Sequence, residues 1–297
     1  MAAIALSLLA AIGFGSAPVF TRTALQGFSF LPAVWMSLVV SFILAAVLAL
    51  VFARQDVGNL SLTAFLWILA VGLTHHVCGR PQNYLSVSII GASRASLFFS
   101  SQAPVAAFVA VAFLGESLSV PIILGTAAVV GGLIAGSGDS LLEGWRTDRR
   151  YLLGYVVALS AGAAYGMVNI FVKKANESVE SPLLVTSISL LLGISLLAPL
   201  VAPRTVRETR TTTHRWRWLG FVVLAGLAAG VGVNSLYFAL LTGDVVIVTP
   251  IVSIAPLVTV LIAHVFTARQ EQVTLRLAGG TALAVAGVVL VSLAGRI

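Results

Sequence analysis

Residues 91–104 read GASRASLFFSSQAP and residues 243–256 read GDVVIVTPIVSIAP, so each stretch opens on Gly and closes on Ala-Pro after the same interval. The match continues downstream, where Glu116, Gly125-Thr126 and Gly132 return as Glu271, Gly280-Thr281 and Gly287. Only the Pro-to-Glu interval changes, gaining residues around 267–270. Upstream, Phe14-Gly15 with Phe20 and Arg22 corresponds to Tyr165-Gly166 with Phe171 and Lys173, and Pro32 to Pro182. An ordered series at near-constant spacing marks an internal repeat, and its unit is half the chain.

The composition sets the solvent of that repeat. Of 297 residues, 59% are hydrophobic and 9% charged, with a mean hydropathy of +1.06. Such a chain cannot hide its apolar surface in one soluble core and needs lipid. A bilayer is crossed by roughly 20 apolar residues in a helix, and ten such runs follow one another: 2–21, 31–53, 62–88, 92–114, 119–137, 151–173, 182–201, 217–241, 244–266 and 273–294. Their length, without period-two alternation, predicts helices rather than barrel strands. The first run lacks a basic leader and matches the start of the second half, so it is read as a span.

The expected fold is therefore an all-α integral membrane protein of ten transmembrane helices. Its organisation is a first repeat at 1–137, a linker at 138–150 and a second repeat at 151–297. Five spans per repeat is an odd number, which turns the second copy over relative to the first and gives two inverted-topology five-helix repeats. The net charge of +7 sits in short loops flanked by Trp145, Tyr151, Trp216 and Trp218, which points to lipid head groups and not to nucleic acid. Arg22, Arg146, Arg149, Arg150, Arg204, Arg207, Arg210, Arg215, Arg217, Arg269 and Arg276 fall on one side by loop parity, against Arg54, Lys173, Lys174 and Arg296 on the other. By charge alone, both termini would lie outside the cytoplasm.

Polar groups inside lipid are costly and mark function. The third run carries Thr74-His75-His76-Val77-Cys78-Gly79-Arg80-Pro81-Gln82-Asn83-Tyr84. On a regular helix His76, Arg80 and Asn83 share a face, while Gly79 and Pro81 predict a kink. The expected substrate-binding residues are His76, Arg80, Asn83 and Tyr84, joined by Phe99 and Ser101 in the fourth run, Tyr165 and Asn169 in the sixth, Asn234 and Tyr237 in the eighth, and Ser253 in the ninth. His76 and His75 are the candidates for proton coupling. Adjacent on a helix, the two imidazoles are expected to point apart, so no metal site is expected there. Cys78 reads as packing, and Glu116 and Glu271 as helix-end residues.

No Asp or Glu stands within the interior of any run, which argues against a site for a cationic drug or a metal ion. A guanidinium with imidazoles and amides favours an anionic or zwitterionic solute. There is no P-loop, HExxH or GxSxG, so neither an ATP-driven pump nor a hydrolase is encoded. No cofactor is expected, and the partners are a small-molecule substrate and the bilayer, with the chain a monomer or homodimer. Small residues in the fifth and tenth runs, among them Gly125, Gly132, Gly280 and Gly287, read as close helix packing.

Through Phe14-Gly15, Tyr165-Gly166, Ala103-Pro104, the Phe113-Leu114-Gly115-Glu116 stretch and the glycine-rich fifth helix of each copy, the chain resembles the EamA-type transporters of the drug/metabolite transporter superfamily. The resemblance implies ten helices, a central cavity, alternating access and cytoplasmic termini, against the charge count. The expected function is that of a secondary transporter, an exporter of small organic metabolites such as amino acids. The alternative is a translocator of anionic or phosphorylated lipid. The cluster from His75 to Pro81 matches no family pattern and is expected to read the substrate.

Overall fold

The computed structural model describes residues 2–53, 60–99, 101–114, 119–147, 149–267 and 275–294, and every regular element among them is a helix. In chain order these are α1 (Ala2–Ala24), α2 (Phe30–Phe52), α3 (Leu62–Val71), α4 (Arg80–Ile90), α5 (Ala92–Phe99), α6 (Gln102–Leu114) and α7 (Val120–Thr147). There follow α8 (Arg149–Val179), α9 (Pro182–Thr211), α10 (Arg215–Thr242), α11 (Val245–Val252), α12 (Ala255–Thr267) and α13 (Leu275–Ala294). A π-helical turn, Gly72–Gly79, joins α3 to α4 without interruption. Helix is what lipid demands of these runs, because only an intrasegment ladder satisfies every backbone donor and acceptor there. Seven stretches are long and apolar enough to cross a bilayer, namely Ala2–Ala24, Phe30–Phe52, Leu62–Ile90, Arg149–Val179, Pro182–Thr211, Arg215–Thr242 and Val245–His264. Val120–Gly132 is a shorter apolar helix.

Two expected spans are broken near their middle. Run 92–114 divides into α5 and α6, and run 244–266 into α11 and α12. Each second piece carries its proline, Pro104 or Pro256, within the first turn, where the missing N–H has no intrahelical partner to lose. Within the expected linker at 138–150, α7 continues as helix through Thr147. Once a spanning helix is nucleated, each added residue gains a hydrogen bond, so glycine and polar residues extend it despite weak propensity. Glu116 and Glu271 lie outside the described residues. Cys78 is exposed rather than packed.

Close approaches between helices recur in matched pairs across the two halves. A Cβ on Gly72 would lie 3.2 Å from the Ser189 carbonyl oxygen and 3.3 Å from Leu192; one on Gly226 would lie 2.9 Å from the Ser37 carbonyl oxygen and 2.6 Å from Val40. Gly79 faces the Tyr165 ring as Gly232 faces the Phe14 ring. Gly15 abuts Ala255 and Val258, while Gly166 abuts Gln102 and Val105. Gly132 packs on Gly280 and Ala284, and Gly287 on Gly125 and Val129.

These pairs correct the sequence alignment in two places. Ala255 occupies the position of Gln102, so the two Ala-Pro dipeptides stand one residue out of register; either proline position within a first turn is equally free of a donor requirement. In the third span, the seven steps from Gly72 to Gly79 correspond to only six from Gly226 to Gly232. The odd residue of the first half is housed in the π-helical turn, which is how a helix absorbs one extra residue without breaking.

Candidate functional site

The widened turn decides which side chains of the third span meet. Arg80 donates its backbone N–H to the His75 carbonyl, a five-residue step instead of four. Pro81, which has no N–H and crowds the preceding turn, follows immediately. His75, rather than His76, therefore stands in line with Arg80, and the four-residue periodicity that groups His76 with Arg80 fails here. The widening also turns the neighbouring imidazoles toward each other. Their rings stack with centroids 4.4 Å apart and planes 16° from parallel, contrary to the expectation that they diverge.

A cavity near the middle of the molecule is lined by His75, Arg80, Asn83 and Tyr84 of the third span. Across from them stand Phe14, Pro18 and Thr21 of α1, Ser96 of α5, Tyr165 of α8, and Ala229 and Val233 of α10. The space amounts to about 520 Å³ counted out to its open mouth, open solvent included. The lining runs from the middle of the helices toward the end of α1 that carries Arg22, whose guanidinium donates to the Val87 and Ser88 carbonyls at 3.2 and 3.1 Å. Gly91, at φ 87°, ends α4 just beyond them in a left-handed region that strains any other residue.

Arg80 is the centre of the polar wall and is only 3% exposed. Its Nη2 donates to the Ser41 hydroxyl at 3.0 Å and toward the Ser37 carbonyl at 3.4 Å. Its Nη1 has no hydrogen-bond partner, and among the described residues no carboxylate pairs with it. Tyr84 donates to the Ser37 hydroxyl at 2.8 Å, so α2 braces both the guanidinium and the phenol. Behind them His75 Nδ1 meets the Tyr237 hydroxyl at 2.8 Å, and the Tyr165 ring stands edge-on to His75 at 4.7 Å.

The remaining expected residues lie elsewhere. His76 is not among those lining this cavity; it turns to α9, with Nε2 3.3 Å from the Ser189 hydroxyl. Asn169 donates to Thr249 Oγ1 at 2.9 Å and tethers α8 to α11. Asn234 and Ser253 bond back within their own helices, to the Gly230 carbonyl and the Thr249 carbonyl. Tyr237 is fully buried behind His75, and the Ser101 hydroxyl is buried without a hydrogen-bond partner. The Phe99 side chain lies outside the described residues. Ser37 and Ser41 were not expected at the site. Their i, i+4 spacing, in a second run otherwise almost free of polar groups, is the signal that finds them.

At the end away from Arg22 the same helices are tied shut. Lys173 Nζ meets Asp244 Oδ1 at 2.9 Å, and Asn176 donates to the Tyr237 carbonyl at 2.9 Å. No cavity-lining residue comes from that end. Among the described residues no group of His, Cys, Asp and Glu could hold a metal ion.

Known proteins bear on this arrangement at two levels. One solved crystal structure superposes with a TM-score of 0.74 at 16% identity, over 99% of this chain and 97% of its own, a likeness of fold alone. No curated protein sequence matches significantly. The EamA-like transporter family matches twice in succession, over residues 1–136 and 152–293. With nearly its whole length matched in two consecutive stretches, this multi-pass membrane chain belongs to the EamA-like transporter family, within the drug/metabolite transporter superfamily.

Proposed function

We propose that the chain is an exporter of small organic solutes bearing a carboxylate, amino acids among them, bound in the cavity around Arg80. The observation that carries this reading is the uncompensated guanidinium. A buried cation with an unpartnered Nη1 and, among the described residues, no carboxylate beside it costs free energy until an anion arrives, and a carboxylate fits its fork in two parallel bonds. His75, Asn83, Tyr84 and Tyr165 supply polar neighbours, while Ala229, Val233 and Phe14 receive an apolar part.

The mechanism we propose is alternating access between two inverted five-helix repeats of a ten-helix bundle. Its support is the matched glycine contacts, the equivalent breaks in 92–114 and 244–266, and the two consecutive family matches. Rocking of the halves would expose the cavity to one side of the membrane and then to the other.

Flux into proteoliposomes tests the reading. Carboxylated amino acids should move faster than the corresponding amino-acid amides, and Arg80→Gln should abolish that preference while Arg80→Lys retains part of it. Equal transport of acids and amides by the native chain would overturn it, as would acid flux unchanged in Arg80→Gln. A pH gradient imposed in the same assay reads proton coupling through His75 or His76. Scrambling of a labelled anionic lipid would instead favour lipid translocation.

A further inference from the structure

The turn between α9 and α10 carries a second set of cations, unrelated to the cavity. α9 has 30 residues, about 45 Å of helix against a hydrocarbon layer of about 30 Å. Its surplus lies at the C-terminal end, where Arg204, Arg207 and Arg210 are exposed. His214 adopts a left-handed backbone, φ 53° and ψ 33°, and reverses the chain directly into Arg215-Trp216-Arg217-Trp218 at the start of α10. Five exposed arginines thus stand at two adjoining helix ends.

Among the described residues nothing neutralises that surface. The carboxylate described beside it, Glu208, already accepts from the Ser29 N–H at 2.9 Å and the Ser29 hydroxyl at 2.6 Å. Among the described residues none of the five arginines pairs with a carboxylate, whereas Lys173 and Lys174 at the opposite end each do. The guanidiniums of Arg215 and Arg217 lie 5.3 and 4.9 Å from the ring centres of Trp216 and Trp218. Trp218 packs over Gly27, but Trp216 is 75% exposed. Farther along the same two helices Leu196, Leu200, Val223 and Leu224 are exposed. A ligand that covers both zones has an anionic head and an apolar tail.

We propose that this surface binds the head groups of anionic phospholipids in the adjacent leaflet, with phosphate held by the arginines and Trp216 seated in the interfacial layer. Arginine forks suit phosphate, tryptophan prefers the head-group level, and basic residues beside spanning helices attract acidic lipid. A soluble anion would satisfy the arginines and leave the apolar zone uncovered.

The test uses the full chain purified in a neutral detergent and titrated with short-chain phosphatidylglycerol, short-chain phosphatidylcholine or inorganic phosphate, followed by thermal unfolding and native mass. Phosphatidylglycerol should raise the unfolding midpoint and remain bound, more weakly as salt rises, and phosphatidylcholine and inorganic phosphate should not. Removing a single arginine, as in Arg215→Gln, should weaken phosphatidylglycerol about fivefold. The combined R204Q/R207Q/R210Q/R215Q/R217Q variant should lose the selectivity, and the corresponding five-lysine variant should keep most of it. Trp216→Ala, at an exposed position that folding does not need, should weaken the anionic lipid alone. Equal binding of the two lipids overturns the proposal, as does unchanged selectivity in the five-glutamine variant. Phosphate binding as strong as that of phosphatidylglycerol would give the surface to free anions instead. None of these readings depends on transport.

Discussion

The third span and α10 occupy matching places in the two halves, and they differ in almost everything that faces the cavity. By the glycine contacts, His75 stands where Ala229 stands and Arg80 where Val233 stands, and all four line the same space. Phe14 and Tyr165 form a third such pair. Backbone contacts at Gly79 and Gly232 are retained while the adjoining side chains have become a cationic wall and an aliphatic one. Matching backbone contacts therefore need not carry matching chemistry: the carboxylate solute proposed above would be oriented between the walls, with its charged end toward the third span and its apolar end toward α10.

That contrast breaks in several ways, the largest through charge. Arg80→Gln should weaken a carboxylate substrate about 10- to 100-fold, the worth of a charge-assisted hydrogen bond, as read by the concentration dependence of flux. The exchange R80V/V233R asks whether the two positions are equivalent. An arginine at 233 would find Ser189 where Ser37 had been and Gly193 where Ser41 had been, so acid transport should recover above the level of Arg80→Val but below the native level. No recovery at all would show that the walls are not interchangeable.

Smaller effects come from the packing beneath. A Cβ on Gly193 would sit 2.5 Å from that of His76, so Gly193→Ala should cost about 1–3 kcal/mol by overpacking, measured as reduced resistance to denaturant. The corresponding Ser41→Ala relieves no clash; it removes the hydroxyl that holds Arg80 and should lower acid affinity with little loss of stability. Smallest is Tyr237→Phe, which deletes the bond to His75 across the halves. It should cost about 1 kcal/mol, seen as a lowered unfolding midpoint.

Much of this was legible in the sequence because lipid enforces simple rules. Uniformly apolar runs had to be helices, and a buried Arg80 among amides had to be exceptional. The register was not legible where the rules assume regularity. The i, i+4, i+7 face that selected His76 presumes an α-helix, and Gly79-Arg80-Pro81 announced a disturbance without saying whether it would be a kink or a widened turn. Asn169, Asn234 and Ser253 bond to a neighbouring helix or to a preceding turn, as polar side chains in lipid commonly do, while the Oδ1 atoms of Asn169 and Asn234 stay buried without a hydrogen-bond partner. Ser37 and Ser41 carry little signal as single hydroxyls; their meaning lies in the guanidinium and phenol they brace.

The extra residue between Gly72 and Gly79 also bears on how such a protein could change its cargo. Insertions usually collect in loops, where they leave chemistry untouched. One placed in a spanning helix and absorbed as a π turn acts like a notch in a key: contacts at Gly72 and Gly79 hold on either side of it, while the blade between them is cut afresh. A single residue more or less in one of two matching stretches is enough to give them different faces toward the same space.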